Sequence, residues 1–351
     1  MNRFLLASLP LVGLLTSISV TALAQDAGAY HVINTLKVGG DGGFDYLYAD
    51  AAARRLYIAR SGAPPVGRIT VYDLDTLKTA GEIPGMSAHI VQIDPKSAHG
   101  FTSSKPVVMF DAKTLAPIKN IDMQGSPDGM LYDPFNARVY VLSHSAPNVQ
   151  VIDAASGNVV GTIDLGGAPE QAATDGQGHL YIDIEDKDVV AVVDAKSMAV
   201  TARYELGGKG GGPGALAIDT KNHILFVACH NPAAMVMLDA ATGKILASLP
   251  IGTGVDEAAF DPGTMEAFSS QGDGTMTIIK EVSPTSFQVE ETVKTANGAR
   301  TMALDTKSHH AFTVAAEYGP APPPDPAAAA GARGRRGPML PGSFTIIEVG
   351  K

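Results

Sequence analysis

The sequence has no tryptophan and only one cysteine. Cys229 cannot form an internal disulfide, so the fold has to rest on its own buried core. Charged residues make up only 18% of the chain and aromatic residues 6%. Basic residues are outnumbered 26 to 36, giving a formal net charge of −10. A nucleic-acid partner is therefore not expected, because phosphate binding needs a basic face. No G-x-S-x-G elbow, H-E-x-x-H, C-x-x-C-H or phosphate loop occurs, so covalent haem and serine-hydrolase chemistry lose support. Long apolar runs are also missing, except near the start. No other stretch could span a bilayer.

That one run covers residues 5–20, follows Arg3, and leads into Ala22-Leu23-Ala24 ahead of Gln25. A short positive region, an apolar core and an A-x-A site together predict a secretory signal cut after Ala24. No cysteine sits at the cut, so no lipoprotein anchor is expected. Residues 1–24 are thus read as a signal peptide, and residues 25–351 as one domain in a periplasmic or secreted protein.

Glycine and proline are plentiful, at 38 and 23 of 351 residues, as a chain with many turns requires. Residues 212–254 set the pattern. ALAID, HILFVACH, MVMLD and KILASLPI read as four strands joined by DTKNH, NPAA and AATG. A unit of this size cannot bury both faces alone, so copies of it are expected. The aspartate closing the first strand recurs at Asp50, Asp94, Asp133, Asp175, Asp219, Asp261 and Asp305, at spacings of 44, 39, 42, 44, 42 and 44 residues. An aromatic second strand follows each of them, at Tyr57, Phe101, Tyr140, Tyr181, Phe226, Phe268 and Phe312. Seven such units predict an all-β, seven-bladed β-propeller.

Residues 30–40 look like a fourth strand lacking its first three, and residues 299–351 like three strands lacking a fourth. The two should complete the last blade and close the ring. In the sixth unit, KEVSPTSFQVEETV is read as a longer turn in place of the Asp turn. Residues 319–342, GPAPPPDPAAAAGARGRRGPMLPG, interrupt the last blade between its second and third strands. Their composition predicts a flexible loop carrying Arg333, Arg335 and Arg336.

Units such as LYIDIEDKDVVAVVDAKSMAVTARYELGG and VYVLSHSAPNVQVIDAASGNVVGTIDLGGAPEQAATD resemble the YVTN-type, YncE-like β-propeller repeat family. They share its aromatic strand, V-x-V-I-D strand, T-G type turn and closing Gly-x-x-Pro. The resemblance spans nearly all of residues 30–351 outside the insert. It implies an exported propeller, in a group that includes binding proteins, surface proteins and relatives of lactonases.

In a propeller the first strand of each blade lines a central channel, so residues that break the repeat at its mouth are the functional candidates. Five residues before each repeat aspartate stand Asp45, His89, Asp128, Glu170, Gly214, Asp256 and Arg300. Six of the seven are ionisable and four are carboxylates, which concentrates negative potential in one opening. Tyr46, Gln171 and Glu257 adjoin them. The loop after the second strand adds Arg60, His144, Glu185, His230 and Glu317 to the same face. Carboxylates beside imidazoles suit a divalent cation, with Asp128, Glu170, Asp256 and His89 as the expected ligands. Ca²⁺ would favour the carboxylates and Zn²⁺ the histidines. The plainer alternative is that loop starts are often acidic without purpose. For Arg300, a salt bridge to Asp45 or Asp256 is the simplest role.

His99, His179, His223 and His309 fall in the hairpin between the first two strands and are expected to be structural, as are His31 and His310. The repeat aspartates, and Asp73, Asp111, Asp153, Asp194 and Asp239 before the fourth strand, should accept turn N–H groups. Cys229 and His230 are neighbours on a strand and point to opposite faces, so they should not pair. The sequence thus predicts a monomeric binding or scaffold protein holding a small molecule, metal or partner protein at the top face. A metal-assisted hydrolase of the lactonase type is the alternative, with a mouth carboxylate or His89 as base.

Overall fold

The computed structural model describes residues 29–63, 65–321 and 337–351. The expected signal segment and the centre of the insert, with Arg333, Arg335 and Arg336, lie outside them. Within this range 28 strands form seven four-stranded antiparallel sheets. Blade 1 runs Leu47–Asp50, Arg55–Arg60, Arg68–Asp73 and Thr79–Pro84 from inside to outside. Blades 2 to 6 repeat it over residues 91–121, 127–163, 169–205, 213–250 and 255–294. Blade 7 combines Met302–Asp305, His310–Ala315 and Thr345–Gly350 with His31–Lys37, which pairs antiparallel as its outermost strand. The seven-bladed all-β fold and its closure are therefore as the repeat predicts. The described residues contain a single turn of 3₁₀-helix, Glu185–Lys187, and no helix long and apolar enough to cross a membrane.

The core is divided among the gaps between blades. Seven apolar clusters form, one for each neighbouring pair. Strand alternation explains this. In Arg55–Arg60, Tyr57 and Ala59 pack toward blade 2, while Leu56 and Ile58 pack toward blade 7. Middle strands are thus buried on both faces and read as near-continuous apolar runs, each fully buried large side chain contributing about 1.5–3 kcal/mol. Outer strands are half wet, as Asn158–Ile163 shows with Val159 and Val160 exposed.

The turns follow one rule. Arg54, Ala98, Ala137, His223, Met265 and His309 each lie four residues after a repeat aspartate and take φ of 53–62°. The aspartate side chains bond turn N–H groups, for example Asp50 Oδ1 from Ala53 at 2.8 Å and Asp94 Oδ1 from Lys96 at 2.9 Å. At the outer turn Asp73, Asp111, Asp153, Asp194 and Asp239 accept the N–H three residues on, at 2.6–2.9 Å. These are Asx turns, and the structural role expected for both sets holds.

One expectation is corrected. Blade 6 does not use a longer turn. Its strands Thr275–Ser283 and Ser286–Lys294 are lengthened instead, joined by only Pro284 and Thr285. The described flanks of the insert are hydrogen-bonded to each other. Tyr318 bridges Met339, Gly319 N donates to Pro338 O at 2.8 Å, and Leu340 N donates to Glu317 O at 2.8 Å.

Candidate functional site

Each mouth residue sits where the inner strand begins. In blades 3 to 6 the ladder changes register there, between Pro127 and Met130, Pro169 and Ala172, Pro213 and Ala215, and Val255 and Glu257. Such bulges re-aim side chains that the pleat would otherwise send sideways into a neighbouring blade. The residues converge on a cup of about 290 Å³ lined by Asp45, Tyr46, His89, Asp128, His144, Glu170, Glu185, His230, Asp256 and Arg300.

Cations are interleaved among the carboxylates of the wall. Arg300 Nε lies 3.1 Å from Asp256 Oδ2, and its Nη2 lies 3.8 Å from Asp45 Oδ1. Asp45 Oδ2 is 2.7 Å from His89 Nδ1, which is 3.3 Å from Asp128 Oδ1. Asp128 Oδ2 is 3.9 Å from His144 Nε2, itself 2.8 Å from Glu170 Oε2. Tyr46, on the far side of the ring, donates its hydroxyl to Glu170 Oε1 at 2.7 Å and is almost wholly buried. A bar across the channel thus forms a floor under the cup.

The electrostatics follow these contacts. The hydrogen bond to Glu170 raises His144 to about 9, against some loss to burial. The Asp45 hydrogen bond raises His89. Burial is the largest influence on Glu170 and acts upward, but the bonds from His144 and Tyr46 outweigh it and leave the carboxyl below its ordinary value. Asp128 goes the other way. Burial raises it, helped by Glu170 and Asp45, and the two histidines compensate only in part. With both imidazoles protonated, three cations face the four mouth carboxylates Asp45, Asp128, Glu170 and Asp256, and Glu185 adds a fifth carboxylate to the lining, so the mutual repulsion suggested by the bare sequence is partly cancelled.

Most of the expected residues meet in this cup, and four side chains do not: Arg60, Glu317, Glu257 and the buried Gln171. Arg60 is fully buried and turns away, donating to the carbonyls of Gly40, Asp41, Gly42 and Gly43 at 3.1–3.2 Å and stacking 3.6 Å over Phe344. Glu317 pairs with Lys37 at 3.5 Å on the flank of blade 7. Glu257 is not in the lining of the cup. Its Oε2 is sealed from solvent without a hydrogen-bond partner, and burial, with Asp256 next, holds its carboxyl well above the usual range. The gap at Gly214 also has a purpose. A Cβ there would stand 2.7 Å from His230 Nε2, so the missing side chain is what admits that imidazole.

The metal set expected from the sequence changes. Two groups have ligand atoms all within 4.8 Å of one another, Asp45–His89–Asp128 and Asp128–His144–Glu170. Asp256 belongs to neither, because Arg300 holds its carboxylate. His144 and Asp45 enter the set instead.

The remaining histidines stay out of the cup. His309 Nδ1 meets Asp261 Oδ2 at 2.7 Å, His179 meets Asp175 at 2.8 Å, His99 meets the Ala154 carbonyl at 2.9 Å, and His310 meets Glu348 at 2.8 Å. Cys229 is buried in the cluster between blades 4 and 5, and burial pushes its thiol up to about 12. A larger groove of about 730 Å³ flanks blade 7, lined in part by Val32, Ala315, Leu340 and Ile347. Its charged residues, Lys37 and Glu317, pair with each other.

No protein-family model and no curated protein matches the chain. Solved structures do match. A chain of the mitotic checkpoint complex superposes with a TM-score of 0.69 at 14% identity, covering 89% of this chain and 96% of that one. The structure of U3-55K gives 0.69 at 11%, covering 91% and 98%, and the RRP9 WD40 repeats give 0.69 at 11%, covering 91% and 97%. At such identities the likeness concerns the propeller fold alone.

Proposed function

We propose that this chain is an exported binding protein of the YVTN-type, YncE-like kind, with the mouth of the propeller as its binding site. The carrying observation is the cup. Ten ionisable side chains, drawn from all seven blades, converge on one floored cavity at positions where the repeat is broken. Residues that serve the fold repeat around the ring, and these do not. The cavity suits a small polar ligand that bears or bridges through a cation, or a polar group presented by a partner protein. Its polarity and size argue against a large apolar ligand.

Cleavage after Ala24, a periplasmic or secreted location, and a monomeric state belong to the same proposal. Amino-terminal sequencing of the mature protein and light scattering test them. The site is tested by a thermal-shift titration with Ca²⁺, Zn²⁺, Mn²⁺ and Cu²⁺ and a panel of small amines, on wild type and on Asp128→Asn/Glu170→Gln. Binding raises the melting temperature of wild type by mass action and leaves the double variant unmoved. An equal shift in both proteins removes the mouth as the site.

The two carboxylate–histidine groups favour one second reading, a metal-assisted hydrolase of the lactonase type. There a bound cation would polarise a carbonyl and His89 or a mouth carboxylate would act as base. Metal-dependent turnover of simple lactones separates this from binding alone.

A further inference from the structure

The geometry points to a two-metal centre in the mouth, in which Asp128 bridges two divalent cations, one held by His89 and Asp45 and the other by His144 and Glu170. This rests on the mouth being the binding site and adds stoichiometry, ligands and cation class to it.

Asp128 carries the argument. It makes no hydrogen bond among the described residues, and its two oxygens face different imidazoles, Oδ1 toward His89 and Oδ2 toward His144. A carboxylate in that position can give one oxygen to each of two cations, in the manner of two-metal sites whose ions lie about 3.5–4 Å apart. The arrangement on either side is matched. Asp45 turns Oδ2 to His89 while Arg300 holds its Oδ1. Glu170 turns Oε2 to His144 while Tyr46 holds its Oε1. Each outer carboxylate therefore has one oxygen fixed from outside and one presented inward, which is how second-layer groups orient metal ligands.

A donor set of two imidazoles and three carboxylates suits Zn²⁺, Mn²⁺ or Co²⁺ better than Ca²⁺, which prefers oxygen throughout.

The test is metal stoichiometry on the full chain after chelator treatment, using Zn²⁺ in calorimetry and elemental analysis and Co²⁺ in visible absorption. Wild type is expected to bind two ions per chain. His89→Gln and His144→Gln are each expected to bind one, and Asp128→Asn to lose about tenfold or more in affinity at both positions. Tyr46→Phe should weaken only the ion that remains in His89→Gln. The Co²⁺ titration of wild type needs no variant, so it stands if a variant fails to fold. One ion per chain, lost alike in both histidine variants, overturns the bridged pair but leaves the mouth as a binding site. No bound metal, together with a small amine that still shifts wild type alone, does the same. Two ions retained in both histidine variants, or lost in the bottom-face variant His179→Gln, place the metals elsewhere and overturn the inference.

Discussion

The two ends of the channel use the same residue types to opposite ends. At the bottom, aspartates and histidines recur blade after blade and are spent on turn N–H groups and on the neighbouring blade. Asp305 accepts from Ser308 and the Lys307 N–H and pairs with Arg54 at 2.7 Å, while His309 caps Asp261. At the top, aspartates and histidines do not recur and bond to other blades across open space. Chemistry cannot be assigned from composition here. What separates a turn residue from a candidate ligand is whether it recurs at the equivalent position of each blade and is tied to turn N–H groups.

The comparison can be broken at four points. The largest effect should come from the repeated framework as a whole. A chain starting at Asp41 lacks His31–Lys37 and leaves Thr345–Gly350 as a bare edge. It should aggregate, or melt well over 10 °C lower by about the scaling of stability with size. Calorimetry and gel filtration check this, and an equally stable monomer would contradict the closure. Next, Asp305→Ala removes a buried carboxylate that accepts from Ser308, the Lys307 N–H and Arg54, which keeps its pair with Asp75, and should cost about 1–3 kcal/mol. Chemical denaturation should register that loss while ligand binding at the mouth stays at the wild-type level.

The third point is a difference in sign within the mouth. Asp128 is held above its ordinary value and Glu170 below. Asp128→Asn should therefore leave the ligand-free protein as stable or slightly more stable. Glu170→Gln should destabilise it by on the order of 1 kcal/mol, because it loses a charge-assisted bond to His144. Equal shifts of the same sign would mean the wall acts as one averaged charge.

The smallest effect is in pH. His144 titrates near 9 in the folded protein against an ordinary 6.5. Its contribution is complete below about pH 6.5 and is lost as pH rises through about 9. The side chain is 44% exposed, so this should amount to less than about 1 kcal/mol. Melting curves between pH 6 and 10 should decline slightly more for wild type than for His144→Gln.

The period of the repeat aspartates makes seven blades legible, and counting back five residues from each finds the mouth. That works because a repeat turns sequence position into ring position. It fails where partners depend on three-dimensional reach. Arg60 looks like a mouth residue until the 39–43 loop offers it a row of carbonyls. The bar from Tyr46 to Glu170 depends on the width of the channel, which no spacing encodes. Asp256 reads like its neighbours, and only the position of Arg300 removes it from the metal set. In blade 6, Pro284-Thr285 reads as part of a longer turn because strand length is set by pairing along the hairpin, not by a local signal.

Blade 7 has a consequence for how the protein is made. His31 pairs with Gly350, so the earliest described strand waits for a strand made more than 300 residues later. Until residues 345–350 are synthesised, the early strand has no template and six blades form an arc with two bare ends. Contacts this distant in sequence are slow to find, and Tyr30 and Lys351 both converge on Glu266 of blade 6 once the ring shuts. A nascent or prematurely terminated chain is therefore an adhesive intermediate, and it needs shielding for as long as translation takes.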